Sequence, residues 1–253
     1  MRTKFSDDEA NTRLTTVLVL KIGGRTWQGS VGIHGRHLDN IERISYVTTD
    51  ARRQVIPKVT YIDDNGKTVE YVAEDGTATP ELLARGERRL MDCMDCHNRP
   101  THAFELPERA VDQALYEGRI STQLPYIKKK AVEVLRADYT DRESARQKIA
   151  VALTDYYKAS YPDVYRSHRG LLEAAVDQVQ KIYLRNVFPE MKLFWGSHPN
   201  NIGHEDFLGC FRCHDGQHRS KDGRDITQDC TACHTMLAME DPNPKVLESL
   251  GLK

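Results

Sequence analysis

The sequence predicts an α+β fold: a small antiparallel β module, a helical spacer and an irregular C-terminal segment. Three observations support this prediction. β-Branched and aliphatic runs dominate residues 12–74, apolar residues then recur at helical spacing to about residue 186, and regular patterning fades over 187–253. We therefore expect three consecutive domains, at 1–90, 91–186 and 187–253.

The β module contains a strand-like run and a hairpin. Residues 15–22 are rich in β-branched and aliphatic side chains and end at a pair of glycines. Residues 55–62 and 67–72 are predicted to pair, because Asn65-Gly66 between them supplies the positive φ angles of a tight turn.

The helical spacer is marked by helix-start signals. Pro107 and Pro162 stand where proline fits the first turn of a helix, and residues 140–143 form a Thr-x-x-Glu capping box. The basic run at 128–130 is predicted to be a solvated helix face. The last helix carries an apolar stripe of His168, Leu172, Ala175, Val179 and Ile182.

Composition excludes some classes of function. The formal net charge of −1 disfavours a nucleic-acid binder, which needs a basic surplus. The longest apolar run, residues 17–20, is too short to cross a membrane. No apolar segment of the secretory type follows Met1.

All six cysteines fall in three copies of one pattern, Cys-x-x-Cys-His. The copies are Cys93-Met-Asp-Cys96-His97, Cys210-Phe-Arg-Cys213-His214 and Cys230-Thr-Ala-Cys233-His234. This pattern is the attachment signature of c-type haem. The two thiols add to the two vinyl groups of one porphyrin, and the following histidine supplies the proximal ligand of the iron. The sequence therefore predicts three covalently bound haem c groups, with His97, His214 and His234 as proximal ligands.

Zinc sites, redox-active thiol pairs and disulfides use the same cysteines and remain as alternatives. A zinc site is indifferent to a histidine directly after the second cysteine. With ten histidines in the chain, three such histidines would arise by chance roughly once in 10,000 cases. A thioredoxin-like pair would occur once, near a βαβ pattern. Haem is therefore favoured.

Each iron has a second axial position, and its occupant decides the chemistry. Seven histidines remain after the three proximal ones, which favours bis-histidine ligation. His37 is a weaker candidate, because it stands beside Arg36 in a polar stretch. The distal candidates are His34, His102, His204 and His218.

A resemblance to a known family rests on residues 91–102, 199–218 and 228–234. These stretches look like the haem-binding segments of NapC/NirT-type multihaem cytochromes of metal-reducing and related bacteria. The stretch Gly32-Ile33-His34 also resembles a Gly-Ile-His-aromatic-His stretch there, but Gly35 and Arg36 replace its last two residues. Members of that family usually begin with a membrane helix and further haem motifs, so the resemblance implies respiratory electron transfer rather than quinol oxidation by this chain alone.

We expect a trihaem electron carrier rather than an enzyme. Covalent attachment of this type is normally completed outside the cytoplasm, so we expect a periplasmic or extracellular protein whose export signal lies outside this chain. Other redox proteins or multihaem cytochromes are the expected partners. Two alternatives stay open: a subunit of a multihaem filament or membrane complex, and a haem oxidoreductase with one five-coordinate iron. The second and third haems, with motifs sixteen residues apart, are expected to lie in near contact.

Overall fold

The computed structural model confirms the α+β class, with helices and antiparallel sheets in one chain. It describes residues 1–27, 29–39, 43–63, 65–98 and 102–252. In chain order the elements are β1 (Arg2–Phe5), β2 (Arg13–Leu20), β3 (Gly24–Thr26), β4 (Gly29–Val31), α1 (Gly32–Leu38), β5 (Ile44–Thr48), β6 (Lys58–Ile62), β7 (Thr68–Ala73), α2 (Pro80–Arg85), β8 (Glu87–Leu90), α3 (Pro107–Tyr116), α4 (Ile127–Arg136), α5 (Arg142–Ser160), α6 (Pro162–Ser167), α7 (Arg169–Asn186), β9 (His218–Ser220), α8 (Cys230–Cys233), β10 (His234–Asp241) and α9 (Val246–Ser249).

The chain forms two compact units, each assembled from separate stretches. The helical unit comprises Met1–Leu18, His102–Ser197 and Met236–Lys253. The sheet unit comprises Val19–Thr101 and His198–Thr235. Strand pairing joins stretches from the two ends of the chain. The three consecutive domains expected from the sequence stay a prediction.

Two helices of the helical unit start at the predicted prolines, and a third starts one residue after its predicted signal. Pro107 and Pro162 occupy the first turns of α3 and α6. The cap of α5 is Asp141, whose carboxylate accepts a hydrogen bond from the backbone N–H of Ser144 at 2.7 Å. It stands one residue after the threonine of the capping-box pattern. Such a cap satisfies one of the free N–H groups at a helix start.

A large apolar core fills the helical unit. Side chains of α5 and α7 pack against each other, and the apolar stripe predicted for the last helix is buried on α7. His168 lies at the end of α6 instead of on that stripe. The fully buried residues of this core include Val111, Leu124, Ile127, Ile149, Leu153, Tyr157 and Val179.

One buried ion pair links helices of this unit. The ammonium of Lys128, on α4, lies 2.6 Å from a carboxylate oxygen of Asp112, on α3. The backbone N–H of Phe5 donates to the same oxygen at 3.0 Å. Lys128 is therefore buried, whereas the sequence predicted a solvated basic run. Burial raises the pKa of Asp112, and Lys128 opposes that shift.

The sheet unit is built around a five-stranded antiparallel sheet with the order β8-β5-β6-β7-β9. The predicted hairpin is confirmed as β6 and β7, with Tyr61 opposite Val69. Its buried apolar cluster is small, consisting of Ile44, Tyr46, Ile56 and Val59. In the described part of the chain, no helix has the length and apolar character that a membrane crossing requires.

Candidate functional site: three Cys-x-x-Cys-His motifs

Each of the three motifs folds as a single helical turn within the sheet unit. Cys93–Asp95 and Gly209–Arg212 are 3-10 turns, and Cys230–Cys233 is α8. Residues three apart on such a turn lie on the same side. Every cysteine carries a free thiol. The two thiols of each motif can therefore face one porphyrin edge.

Aspartates start two of these turns. The Asp92 carboxylate accepts a hydrogen bond from the backbone N–H of Met94 at 2.7 Å. The Asp229 carboxylate does the same for the N–H of Thr231 at 2.8 Å. The turn before His97 is closed by the backbone N–H of His97, which donates to the Cys93 carbonyl at 2.8 Å. These local bonds explain why short polar stretches hold a fixed shape.

The structure brings each motif histidine next to another imidazole. The first two partners lie on α1, and the third lies in the loop before the second motif. The ring centroids of the pairs are separated as follows: His34 and His97 by 6.2 Å, His37 and His214 by 5.8 Å, His204 and His234 by 6.2 Å.

These separations fit a haem iron between each pair. Two imidazoles bound on opposite sides of one metal, with bonds of about 2.0 Å as in zinc–imidazole sites, place their ring centroids about 6.3 Å apart. Within the residues that the structure describes, no three His, Cys, Asp or Glu side chains converge on one point. The donor set present is thus a thiol pair and an imidazole pair at each motif, which suits haem c.

A short helix carries two of the imidazoles that lie beside motif histidines. His34 and His37 are three residues apart on α1 and therefore share one face. Gly32, the first residue of α1, has φ +67°, and a Cβ there would lie 2.4 Å from the carbonyl oxygen of Lys21. The backbone N–H of Ile33 donates to that same carbonyl at 2.9 Å. Only glycine fits this close approach, which sets where α1 begins.

The segment from Lys21 to α1 also contacts the third motif. The backbone N–H of Lys21 donates to the carbonyl of Cys233 at 2.8 Å, and its ammonium donates to the carbonyl of Thr231 at 2.7 Å. The helix α1 lies beside α8. The helix that carries His34 and His37 is therefore anchored on the third motif.

His204 is held by a loop that folds back on the second motif. The backbone N–H of Cys210 donates to the carbonyl of Gly203 at 2.9 Å. Gly209, with φ +48°, allows this approach, because a Cβ there would lie 1.7 Å from the same carbonyl oxygen. The imidazole of His204 stacks on Phe211 at 4.1 Å between centroids and 19° between planes. Phe211 lies between the two cysteines of the second motif.

The first and second motifs are joined by buried polar groups. The guanidinium of Arg212 donates to the backbone carbonyl of Asp95 at 2.7 Å, and the Asn201 amide donates to the same oxygen at 3.1 Å. The Asp95 carboxylate, only 1 % exposed, accepts from the Tyr46 hydroxyl and from Arg53. Burial, together with the Asp95 carboxylate, raises the pKa of Tyr46 to about 12. This tyrosine is therefore a neutral donor at neutral pH.

Burial also affects the protonation of the thiols and of one imidazole that would bind haem. It raises the pKa of Cys213 to about 12, and it raises the pKa of Cys96 and Cys233. These thiols are neutral in the chain without haem. Burial lowers the pKa of His37, although its bond to the Ile33 carbonyl opposes the shift. A neutral imidazole is the form that binds a metal.

Two predicted distal ligands have other surroundings. The ring of His218, 1 % exposed on β9, bonds through Nδ1 to Asp215 at 2.8 Å and through Nε2 to the Ile56 carbonyl at 2.7 Å. Because both nitrogens are engaged, neither faces a motif histidine. His102 belongs to the helical unit, where it lies 4.5 Å from Phe104. The hydrogen bonds of His218 disfavour it as a ligand. The place of His37 beside His214 brings forward a histidine that the sequence ranked low.

Comparison with known proteins supports a c-type cytochrome. The chain is 39% identical over 240 residues to the cytochrome c-type protein ImcH of Geobacter sulfurreducens. The match covers 94% of this chain and 47% of that protein, so the chain spans about half the length of this relative. No protein-family model and no solved structure matches the chain. The similarity supports an electron-transfer protein with covalently bound haem c; the particular type, NapC/NirT, stays a prediction.

Proposed function

We propose that this chain is a trihaem c-type cytochrome that transfers electrons in the bacterial cell envelope. The observation that carries the proposal is the presence of three imidazole pairs, one at each attachment motif, with centroids 5.8 to 6.2 Å apart. The pairs that would hold the three irons are His34 with His97, His37 with His214, and His204 with His234. A bound haem supplies a one-electron couple at its iron.

Two axial imidazoles at every iron favour a carrier over an enzyme. A substrate or a gas needs an open axial position, whereas a six-coordinate iron accepts and releases electrons without making bonds. The chain's own residues would hold and orient the three porphyrins, shield them from water and set their potentials. Partners would be other redox proteins or multihaem cytochromes outside the cytoplasm.

The order of the relay follows from shared residues. One face of α1 carries the distal imidazoles of the first and second sites, so these two sites must be neighbours. The stack of His204 on Phe211 connects the distal ligand of the third site with the second motif. The second site is thus the middle of the relay. This agrees with the expected contact between the second and third haems and adds an equally direct contact between the first and second.

Iron analysis and electron paramagnetic resonance of the oxidised protein test this proposal. We expect three irons per chain, all low-spin, and no rapid carbon monoxide binding after reduction. The variants His34→Ala, His37→Ala and His204→Ala should each convert one haem to the high-spin state. The matched controls His102→Gln and His218→Gln should leave all three low-spin.

The same measurements can reject the proposal. Fewer than three irons, or zinc in their place, would contradict haem attachment at every motif. A high-spin iron in the unmodified protein would contradict bis-histidine ligation and favour a haem oxidoreductase. The proposed pairing would be contradicted if the His218 variant lost a low-spin signal while the His37 variant kept all three.

A further inference from the structure

The second motif differs from the other two in the hydrogen bonds of its imidazoles. Nδ1 of His214 lies 2.7 Å from the carbonyl oxygen of Thr227, and Nδ1 of His37 lies 2.7 Å from the carbonyl oxygen of Ile33. A carbonyl oxygen can only accept, so each Nδ1 carries the proton and donates it. Both rings are therefore left with Nε2 as the free nitrogen.

The other two imidazole pairs lack such bonds within the described part of the chain. Among the residues that the structure describes, no group hydrogen-bonds to the ring nitrogens of His34 or His97, or to those of His204. Nδ1 of His234 is buried and has no partner within the same residues. The hydrogen bonds of its imidazole rings therefore distinguish the second site from the first and third.

This asymmetry has an electronic consequence. An imidazole that donates its second N–H to a carbonyl is a more basic ligand. A more basic axial ligand stabilises ferric over ferrous iron and so lowers the reduction potential, since hydrogen bonding around the ligands is one of the protein's controls on potential. At the second site both axial ligands act in this direction.

The charges at the junction of the first two motifs do not separate the potentials of these two sites. The guanidinium of Arg212 would raise the potential of a neighbouring iron, but it binds the carbonyl of Asp95 in the first motif and that of Gly209 beside the second. The Asp95 carboxylate and Arg53 lie at the same junction. These charges act on the first and second sites together, so they do not separate the two potentials.

We infer that the haem of the second motif, Cys210 to His214, has the lowest reduction potential of the three. This inference rests on the proposed function, in which His37 and His214 ligate that haem. The lowest potential would then stand in the middle of the relay. A fully reduced protein would lose its first electron there, beside both neighbouring sites.

The test is an optically monitored redox titration of the full chain and of three variants. Methionine as an axial ligand raises the potential of its haem. His37→Met should therefore shift the lowest of the three couples upward and leave the other two in place. His34→Met and His204→Met should each shift a higher couple and leave the lowest unmoved. The control Thr227→Ala keeps the backbone carbonyl and should move no couple.

Each outcome decides the inference. A lowest couple that moves in His34→Met or His204→Met, but not in His37→Met, overturns it; so does a higher couple that alone moves in Thr227→Ala, because Thr227 adjoins the second site. If His37→Met does not assemble, the other two methionine variants still assign the lowest couple by elimination. Fewer than three couples, or a high-spin iron in the unmodified protein, would instead reject the proposed function, and this is established before any variant is titrated.

Discussion

The helical unit and the sheet unit bury apolar side chains to very different extents. The helical unit encloses a continuous core in which residues such as Leu153 and Val179 are completely buried. Among the residues that the structure describes, the buried apolar cluster of the sheet unit holds four side chains, and large apolar side chains at its motifs are exposed, including Met94 at 57 % and Phe211 at 42 %. A unit of this size with so little core needs another source of apolar burial. Three porphyrins would supply it, so the two units should depend differently on haem.

Removal of one haem should have the largest effect on this comparison. The double change Cys210→Ser and Cys213→Ser removes both attachment thiols of the middle site. We expect the loss of a third of the haem per chain, together with faster amide exchange across the sheet unit. Exchange in α5 and α7 should stay slow, because the three attachment motifs lie outside their unit. Hydrogen exchange with mass spectrometry reports both units at once.

If the sheet unit stays as protected as in the unmodified protein, the porphyrins do not contribute to its stability. The comparison between the units would then fail.

The buried ion pair gives a pH-dependent change confined to the helical unit. Lys128→Met leaves the Asp112 carboxylate buried without its cation, which should cost about 3–5 kcal/mol at neutral pH. Because burial holds the pKa of Asp112 above its ordinary value of 3.8, the folded chain binds this proton more tightly than the unfolded chain does. Stability therefore falls as pH rises from that ordinary value through the folded-state pKa.

Lys128→Met removes the ammonium that opposes this shift, so the pKa of Asp112 should rise further. The stability of the variant should therefore fall over a wider pH range. Urea unfolding at pH 4 and pH 7 measures this difference, with the smaller cost expected at pH 4. The exposed neighbour Lys129→Met is the control and should change little. An equal cost at both pH values would show that lost packing, rather than the unpaired carboxylate, causes the effect.

A cavity in the helical core should lower stability without changing the haems. Leu153→Ala removes a completely buried side chain and should cost about 2–5 kcal/mol in the free energy of unfolding. Val151, on the same helix but 58 % exposed, is the control, and its change to alanine should cost less than about 0.5 kcal/mol. The haem spectrum of both variants should match that of the unmodified protein. A spectral change in Leu153→Ala would show that the helical core also supports the haem sites.

Substitution of a glycine in the sheet unit should have the opposite effect to Leu153→Ala: a change in the haem spectrum with a smaller loss of stability. Gly32→Ala would place a Cβ 2.4 Å from the Lys21 carbonyl at φ +67°, a strain of about 1–3 kcal/mol. The displaced α1 should loosen both His34 and His37. Electron paramagnetic resonance should therefore show high-spin signal from two haems.

Two other glycines define the specificity of this effect. Gly209→Ala should affect the third haem instead, because Gly209 allows the approach that positions His204. Gly76 has φ +86°, and a Cβ there would meet no atom within 4 Å, so Gly76→Ala adds backbone strain alone and should leave every haem low-spin. High-spin signal in the Gly76 variant would mean that general strain, not the position of α1, controls ligation.

Local features of this fold could be predicted from the sequence. The attachment motifs, the hairpin of β6 and β7 and the helix starts depend on residues a few positions apart, so spacing and residue type suffice. Burial of the α7 stripe follows from its 3.6-residue period. The basic run at 128–130 shows the limit: the helix turns Lys128 inward and Lys129 outward, and only the position of Asp112 on another helix reveals why.

The imidazoles that lie beside the motif histidines could be predicted only in part, because the members of each pair come from distant parts of the chain. His34 and His204 were candidates, and both lie beside a motif histidine. His37 ranked low for its polar neighbours, yet the spacing of three residues from His34 was a usable signal for one helical face. His218 ranked high because it follows His214 closely, but β9 turns its ring toward the Ile56 carbonyl. Sequence distance from a motif therefore misleads where a strand intervenes.

The pairing of α1 with two motifs also changes how the chain is connected. About two thirds of the chain lies between His37 and His214, so an iron bound to both closes a very large ring. In the chain-entropy description, a cross-link that closes a loop of 100 residues removes roughly 4.7 kcal/mol of freedom from the unfolded state. With covalently attached porphyrins, each proposed axial bond that re-forms during refolding would close a ring of this kind, the largest being that between His37 and His214. Unfolding this protein would then mean opening overlapping rings one by one, rather than releasing a linear chain.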